Sequence, residues 1–331
     1  MGQNNCCGSK EGESQMEIVF NEPKEFVQTA FEPGKWVLGS EEIGKVVKIQ
    51  AFWRGFQMRR QFSALLQTRT RKLRFSSAEF KETKSLSICS KQKEVRPAYT
   101  YRSGAVYVGE WVGNNREGYG TQTWPDGAKY EGLWKNNRAN GNGKFWHNDG
   151  DVFIGNWKDE KANGKGMYWH SKGAKYTGDW NNDNQDGYGV EIWPDKSNYE
   201  GFYKGGKKHG LGKYFWSDGS CYAGQWVDNK ISGFGIYEWL DGRRYTGQWL
   251  NNNMHGTGMY TWKDGRKYEG EYRFDKKHGV GKYTWGDGKQ YIGGWKNGKQ
   301  HGEGKYIYPN GAEKAFNWEE GRKVKIEHHV M

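Results

Sequence analysis

Long apolar runs are missing from this chain. No stretch approaches the roughly 18 apolar residues that a membrane-spanning helix requires, so none is expected. Only 34% of its 331 residues are hydrophobic and the mean hydropathy is −1.08, which excludes a large globular core and favours a thin, elongated body. Cysteine is scarce too. Cys6 and Cys7 are adjacent near the start, and Cys89 and Cys221 stand alone, so neither a disulfide framework nor a zinc site is expected. The expected compartment is the reducing cytosol or something continuous with it, since Met1–Cys7 carries no apolar secretory stretch.

Groupings that carry chemistry are also lacking. His209, His255, His278 and His301 sit at one recurring position without a Cys or carboxylate set at ligand spacing, which reads as a turn preference and not as a metal site. The stretch Gly279-Val280-Gly281-Lys282-Tyr283-Thr284 lacks the spacing of a phosphate-binding loop and falls where a strand begins. Glu319 and Glu320 are sequence neighbours with no shielding pocket in prospect. No zinc finger, helix-turn-helix or RNA-binding signature accompanies the net charge of +12. The expectation is a non-enzyme with no cofactor, no metal and no nucleic-acid partner.

What the chain has is a period. Tyr107, Tyr130, Phe153, Tyr176, Tyr199, Tyr222, Tyr245, Tyr268 and Tyr291 recur every 23 residues, each followed two positions later by glycine. A fixed period marks a repeat architecture, and such chains generally bind rather than catalyse. Within the first copy Tyr107, Gly109 and Trp111 alternate with other residues, as do Gly118, Gly120, Gln122 and Trp124, and alternation puts successive side chains on opposite faces of a strand. Polar residues Gly113-Asn114-Asn115-Arg116 separate the two runs, and Pro125-Asp126-Gly127 follows them as a hairpin signal. Each unit is expected to be a β-hairpin.

Parity gives the glycines a role. Both glycines of the second strand are expected to share a face with aromatic residues such as Phe145, Tyr168, Tyr214, Trp193 and Trp216, whose rings lie across bare backbone. Rings of this kind bury roughly 150–250 Å² each, enough for one face of a single sheet to hold the fold. Sixteen of the 18 tryptophans lie after residue 100, where that face would be.

Tyr-x-Gly-x-Trp, then Gly-x-Gly, then Asp-Gly, on a 23-residue register across about residues 101–322, resembles the MORN repeat (membrane occupation and recognition nexus). Tyr203 and Tyr272 stand for the usual Trp, and Asp195-Lys196 lacks the glycine. The resemblance implies an elongated single-layer antiparallel sheet of stacked hairpins. At ~4.8 Å per strand, nine hairpins would extend on the order of 85 Å, closed by a degenerate tenth copy at Lys314, Phe316 and Trp318.

Acidic residues are absent from residues 45–74, where Lys45, Lys48, Arg54, Arg59, Arg60, Arg69, Arg71, Lys72 and Arg74 supply three-quarters of the net charge. Such a segment suits an acidic protein or an anionic membrane surface. Inside it, Ile49-Gln50-Ala51-Phe52-Trp53-Arg54-Gly55-Phe56-Gln57-Met58-Arg59 resembles a complete IQ motif, which implies binding of calmodulin or a related EF-hand protein. A helix over 40–68 would place Ile49, Phe52, Trp53 and Phe56 on one face amid arginines, the anchor pattern an acidic, Met-lined groove accepts. The alternative is a basic helix that packs on the sheet.

Two further features complete the sequence reading. Gly2 behind Met1, with Cys6 and Cys7, resembles an N-myristoylation site next to palmitoylation sites. One acyl chain holds a membrane only marginally, and the basic segment would be the second signal. On the face opposite the aromatic one, Tyr188, Val190, Ile192, Phe202, Leu211, Phe215, Phe234 and Ile236 form an apolar strip for a partner or for residues 16–38 of the chain itself. The expected organisation is 1–15 flexible, 16–39 short extended segments, 40–68 IQ helix, 69–100 polar linker and 101–331 repeat array. The expected function is a non-enzymatic scaffold in a cytoskeletal, ciliary or cortical assembly. The alternatives are an acylated peripheral anchor on anionic lipid and, from family analogy, a regulatory subunit of a lipid kinase.

Overall fold

The computed structural model describes residues 77–84 and 92–324. Their dominant feature is one open antiparallel sheet of 21 strands, in which every strand pairs with its neighbours in sequence. It begins with β1 (Lys93–Thr100), β2 (Val106–Val112), β3 (Asn115–Thr123), β4 (Lys129–Lys135) and β5 (Arg138–Trp146), and ends with β20 (Glu313–Glu319) and β21 (Arg322–Val324). The stacked-hairpin expectation over 101–322 therefore holds, and the sheet also extends to residues 93–324. Within the segment read as a linker lie β1, paired to β2, and a helix, α1 (Ser77–Lys84). The segments 1–39 and 40–68 lie outside the described residues.

Two turn types alternate, and their chemistry differs from the sequence expectation in one respect. Inside a repeat, Lys135 pairs with Arg138, leaving only Asn136 (φ 49°) and Asn137 (φ 69°) between. Positive φ at both central residues defines the mirror-image turn that matches strand twist, and Asn and Asp tolerate it. Between repeats the Asp-Gly loops are longer. Gly127 donates to the Trp124 carbonyl at 3.0 Å, Asp126 Oδ1 accepts from Ala128 N at 3.1 Å, and Gly127 takes φ 87°. Where Gly is missing, Lys196 is held at φ 68° and the turn survives.

The two glycines of the second strand turn out to have different tasks, correcting the expectation that both lie under rings. Gly109 pairs with Gly120 and Trp111 with Arg116, so Glu110 faces three residues in a β-bulge. Gly118, the first glycine, sits in that bulge at φ 76°, a conformation that side chains resist. Gly120, the second, lies under the Tyr107 ring, where a Cβ would sit 2.5 Å from Cζ. The ring also explains the tyrosine: its hydroxyl donates at 3.0 Å to the carbonyl of Glu110, the residue inside the bulge. Tyr130, Tyr176, Tyr199 and Tyr222 repeat that bond to Leu133, Asp179, Phe202 and Gln225 at 2.9–3.0 Å.

Two more bonds join one repeat to the next. Trp134 Nε1 donates to the Gly120 carbonyl at 3.0 Å, and Trp157, Trp180 and Trp226 do the same to Gly143, Gly166 and Gly212 in later repeats. The second turn residue accepts from an amide in the preceding repeat, as Asn229 Oδ1 does from Lys208 N and Asn252 Oδ1 from Ile231 N, both at 2.8 Å. The rings complete the layer, with Tyr130 edge-on to Trp134 at 5.1 Å and to Trp157 at 5.2 Å. One face of the sheet is thus the core, and the other is free to vary.

Candidate interaction surfaces

The variable face carries the strip. It crosses β9 (Asn184–Ile192), β10 (Asn198–Lys204), β11 (Lys207–Phe215), β12 (Cys221–Val227) and β13 (Lys230–Glu238). Register brings Phe202 opposite Tyr188, whose rings meet edge-on at 5.6 Å, and places Glu200 beside Val190. Tyr188, Ile192, Phe202, Leu211 and Phe234 are exposed, while Val190, Phe215 and Ile236 are half-buried. Lys213 Nζ lies over the Phe215 ring at 4.4 Å. Polar groups within the strip satisfy one another: the Tyr188 hydroxyl donates to Glu200, and Arg244 pairs with Glu238 at 2.8 Å.

The bulge shows what the apolar residues displace. Glu110, Asp179, Gln225, Gln248 and Glu271 occupy one row of this face, and each side chain accepts from the bulge amide nine residues on, as Gln225 Oε1 does from Phe234 N at 2.7 Å. Leu133 and Phe202 fill the same row and cannot accept. The row also contains Tyr119, 53% exposed and opposite Leu133, an apolar pair that the sequence reading overlooked. Its signal was available: Leu133 departs from the polar residue common at that position.

The aromatic face carries the buried charges. A column of residues fills the spaces between the rings: Lys208 reaches Glu191 Oε2 at 3.4 Å, an oxygen that also accepts from the Tyr203 hydroxyl at 2.9 Å. Burial, reinforced by Glu191, pushes the Tyr203 phenol well above its usual range. Lys277 occupies the same column amid Tyr283 at 4.3 Å, Trp295 at 4.4 Å and Tyr268 at 5.0 Å, and burial, aided by Arg266, pushes its ammonium down to about 7. The four histidines stand at the strand edge; His209 Nδ1 lies 3.5 Å from Asp228 and His255 meets Phe274 edge-on at 5.0 Å. Among the described residues no His, Cys, Asp and Glu cluster is placed to hold a metal ion, and no helix is long and apolar enough to cross a membrane.

The IQ positions Ile49, Gln50, Phe52, Trp53, Arg54, Gly55, Phe56 and Arg59 lie outside the described residues, as do Gly2, Cys6 and Cys7.

Comparison with known families matches both sequence resemblances. The MORN repeat matches residues 107–129, 130–152, 153–175, 176–197, 199–221, 222–242, 245–265, 268–290 and 291–313, more than half of the chain. The IQ calmodulin-binding motif matches residues 44–63. No curated protein sequence matches. Among solved structures, the TCP10 domain of Danio rerio CPAP is 15% identical, with 61% of this chain and 96% of that one covered and a TM-score of 0.35. The TCP domain of Drosophila melanogaster SAS-4, in complex with a proline-rich motif of Ana2, is 11% identical, with 67% and 96% covered and a TM-score of 0.29. These scores are too low for either likeness to bear on function.

Proposed function

Because this chain belongs to the MORN-repeat family and carries an IQ calmodulin-binding motif, we propose that it is a non-enzymatic scaffold that joins calmodulin or a calmodulin-like EF-hand protein to a cytoskeletal, ciliary or cortical assembly. The IQ motif takes the EF-hand protein, with Ile49, Phe52, Trp53 and Phe56 as anchors and Arg54 and Arg59 meeting its acidic rim. The variable face of the sheet takes the assembly partner, through a segment presenting aliphatic or aromatic side chains to Tyr188, Phe202, Leu211 and Phe234. The observation that carries this reading is Phe202. It stands where other repeats place a hydrogen-bond acceptor, and it is 48% exposed, so neither the sheet's own bonding nor its core accounts for it. Near it Glu200 accepts from the Tyr188 hydroxyl and Lys213 lies over the Phe215 ring, so apolar contact is the means of recognition.

The test has two arms on the full chain. Ile49→Ala, Gln50→Ala, Arg54→Glu and Arg59→Glu together abolish calmodulin capture and leave the β-sheet circular dichroism intact. Phe202→Thr with Phe234→Thr leaves calmodulin capture intact and disperses the protein from its cellular assembly. Undiminished capture by the first variant, or undisturbed placement of the second, overturns the corresponding half.

Gly2, Cys6 and Cys7, followed by the basic segment, support a second reading as an acylated peripheral membrane anchor on anionic lipid. Here Gly2→Ala releases the protein to the soluble fraction, because basic residues alone are held by ~1 kcal/mol each and are screened beyond about 8 Å. Under the scaffold reading Gly2→Ala leaves its placement unchanged.

A further inference from the structure

The turns inside the repeats line one edge of the sheet, and most of that edge is polar or charged. At the last position of the first strand, four repeats carry Lys135, Lys158, Lys204 and Lys296. The sixth and seventh repeats place Val227, the last residue of β12, and Leu250, the last of β14 (Arg244–Leu250), there instead, and both are exposed. The eighth departs one residue later. Phe274 lies in the turn between β16 (Lys267–Arg273) and β17 (Lys276–Thr284), at a position that the other eight full repeats fill with Gly, Asn or Asp. The bonds that hold these turns to the preceding repeat belong to the second turn residue: Asn229, Asn252 and Asp275 accept from Lys208 N, Ile231 N and Met254 N at 2.8 Å. Phe274 makes no such bond, is exposed, and keeps φ 46°, which is costly for an aromatic residue.

Cations stand among these side chains. Lys230, the first residue of β13, is the register partner of Val227, and Arg273 is that of Lys276. Like charges directly opposite each other repel. No carboxylate answers them, since Lys230, Arg273 and Lys276 form no ion pair among the described residues. The acids nearby are engaged elsewhere: Asp228 with Lys207 at 3.3 Å and His209 at 3.5 Å, and Asp275 with the Met254 amide. Three exposed apolar side chains therefore share an edge with three unanswered positive charges, and the complement is an anionic occupant with apolar anchors. Residues 45–74 of this chain, with nine basic residues and no acidic one, have the wrong sign.

Spacing narrows the form of that occupant. With strands ~4.8 Å apart, Leu250 lies roughly 10 Å along the edge from Val227, and Phe274 roughly 22 Å, with Lys230 about midway between the first two. An α-helix puts residues i, i+7 and i+14 on one face at about 0, 10.5 and 21 Å, and residues one turn on fall between them. An extended strand repeats its face every ~6.6 Å, and a polyproline helix every ~9.3 Å with nothing on that face between. Only the α-helix supplies both the anchors and the intervening charges.

We propose that the turn edge of the sixth to eighth repeats is a docking site for an acidic amphipathic helix of a partner protein, with apolar side chains on Val227, Leu250 and Phe274 and carboxylates on Lys230, Arg273 and Lys276. The site shares no residue with the variable-face strip and does not depend on the function proposed for it.

The test uses the full-length protein and a synthetic helix of about 22 residues, with Leu at every seventh position and Glu one turn from each Leu, against a scrambled peptide of the same composition. Fluorescence anisotropy reads the affinity. Phe274→Asn installs the residue of other repeats and relieves the turn strain, so the fold is kept, and it is expected to weaken peptide binding about tenfold. Lys230→Glu with Lys276→Glu weakens binding too and reduces its dependence on salt. Because residues 45–74 are present in every form, the difference between forms reports on the edge alone. Absence of binding, equal binding by the wild type and Phe274→Asn, or equal binding of the two peptides overturns the proposal. Vesicles of phosphatidylcholine and phosphatidylserine form the last arm. If they bind the wild type and lose Phe274→Asn, while the peptide does not distinguish the two, the edge belongs to a lipid surface and the helix is overturned.

Discussion

The ring of Tyr222 covers Gly235 on the neighbouring strand so closely that a Cβ there would lie 2.5 Å from Cζ. The same ring covers Gly224 on its own strand, and Gly224 and Gly235 are register partners. A pair of bare backbone positions is thus the seat of each phenol. The arrangement holds the sheet together without a second layer, because ring on backbone replaces sheet on sheet.

Gly235→Ala consequently forces the ring off its seat. The expected loss is about 3 kcal/mol, the upper part of the range for overpacking a tight interior. Gly265→Ala is the control: nothing lies within 4 Å of its Cβ position, and φ +84° alone costs about 1–2 kcal/mol. Hydrogen exchange of the β12 and β13 amides measures the first locally, as suits a repeat array. Equal destabilisation by the two substitutions would show that turn strain, and not the ring seat, sets the glycine requirement.

Phe153 is the one member of its column without a hydroxyl, so Phe153→Tyr restores the bond to the carbonyl three residues on that Tyr130 and Tyr176 make. The expected gain is about 0.5–1.5 kcal/mol, and Tyr176→Phe should lose a similar amount. Thermal melts of the two variants check the pair. A destabilised Phe153→Tyr would mean that Gly155 and Gly166 do not admit the oxygen.

Period and parity made the sheet, its register and its core face readable from the residues alone. The bulge was not readable, because Gly118 and Gly120 have the same spacing as any two glycines on one face, and only backbone conformation separates their tasks. Nor was α1: Ser77–Lys84 lies outside the period, and the Glu79–Gln122 bond joins residues 43 apart. Repeat departures such as Gln122 and Arg116 were the available trace of it. The strip at Tyr188, Phe202, Leu211 and Phe234 was readable from alternation. The hydrogen bond that Phe202 gives up was not, since it depends on the bulge.

Phe274 stands at φ 46° in a turn position that Asn136, Asn182 and Asn251 fill elsewhere. A bulky residue there is an outlier, costing about 1–2 kcal/mol, and its edge contact with His255 offsets only part of that. Phe274→Asn is expected to stabilise the array by about 1 kcal/mol, raising the melting temperature. A lower melting temperature would show that the ring contact outweighs the strain. With the ring 53% exposed, such strain is also what a surface held for binding would display.

The last expectation concerns alkaline pH. Burial pushes the Tyr101 and Tyr260 phenols up to about 12, partly countered by Arg116 and Arg243, and raises those of Tyr203, Tyr245 and Tyr268 well above the ordinary value of 10.0. For these groups the folded value lies above the unfolded one. Below pH 10 the phenols are protonated in both states and their contribution to stability is complete. As pH rises above 10, the unfolded chain gives up protons that the folded chain retains, and each such tyrosine withdraws about 1.4 kcal/mol per pH unit until its folded value is reached. Several tyrosines titrating together make the loss steep. The hydroxyl bonds to the bulge carbonyls point the same way, because a phenolate cannot donate. Phenolate absorbance and β-sheet circular dichroism, followed together from neutral to strongly alkaline pH, should change in one transition beginning above pH 10. Phenolates of the core column appearing while the sheet signal persists would show that the rings titrate in place, and that the seats between glycines are wetter than this geometry allows.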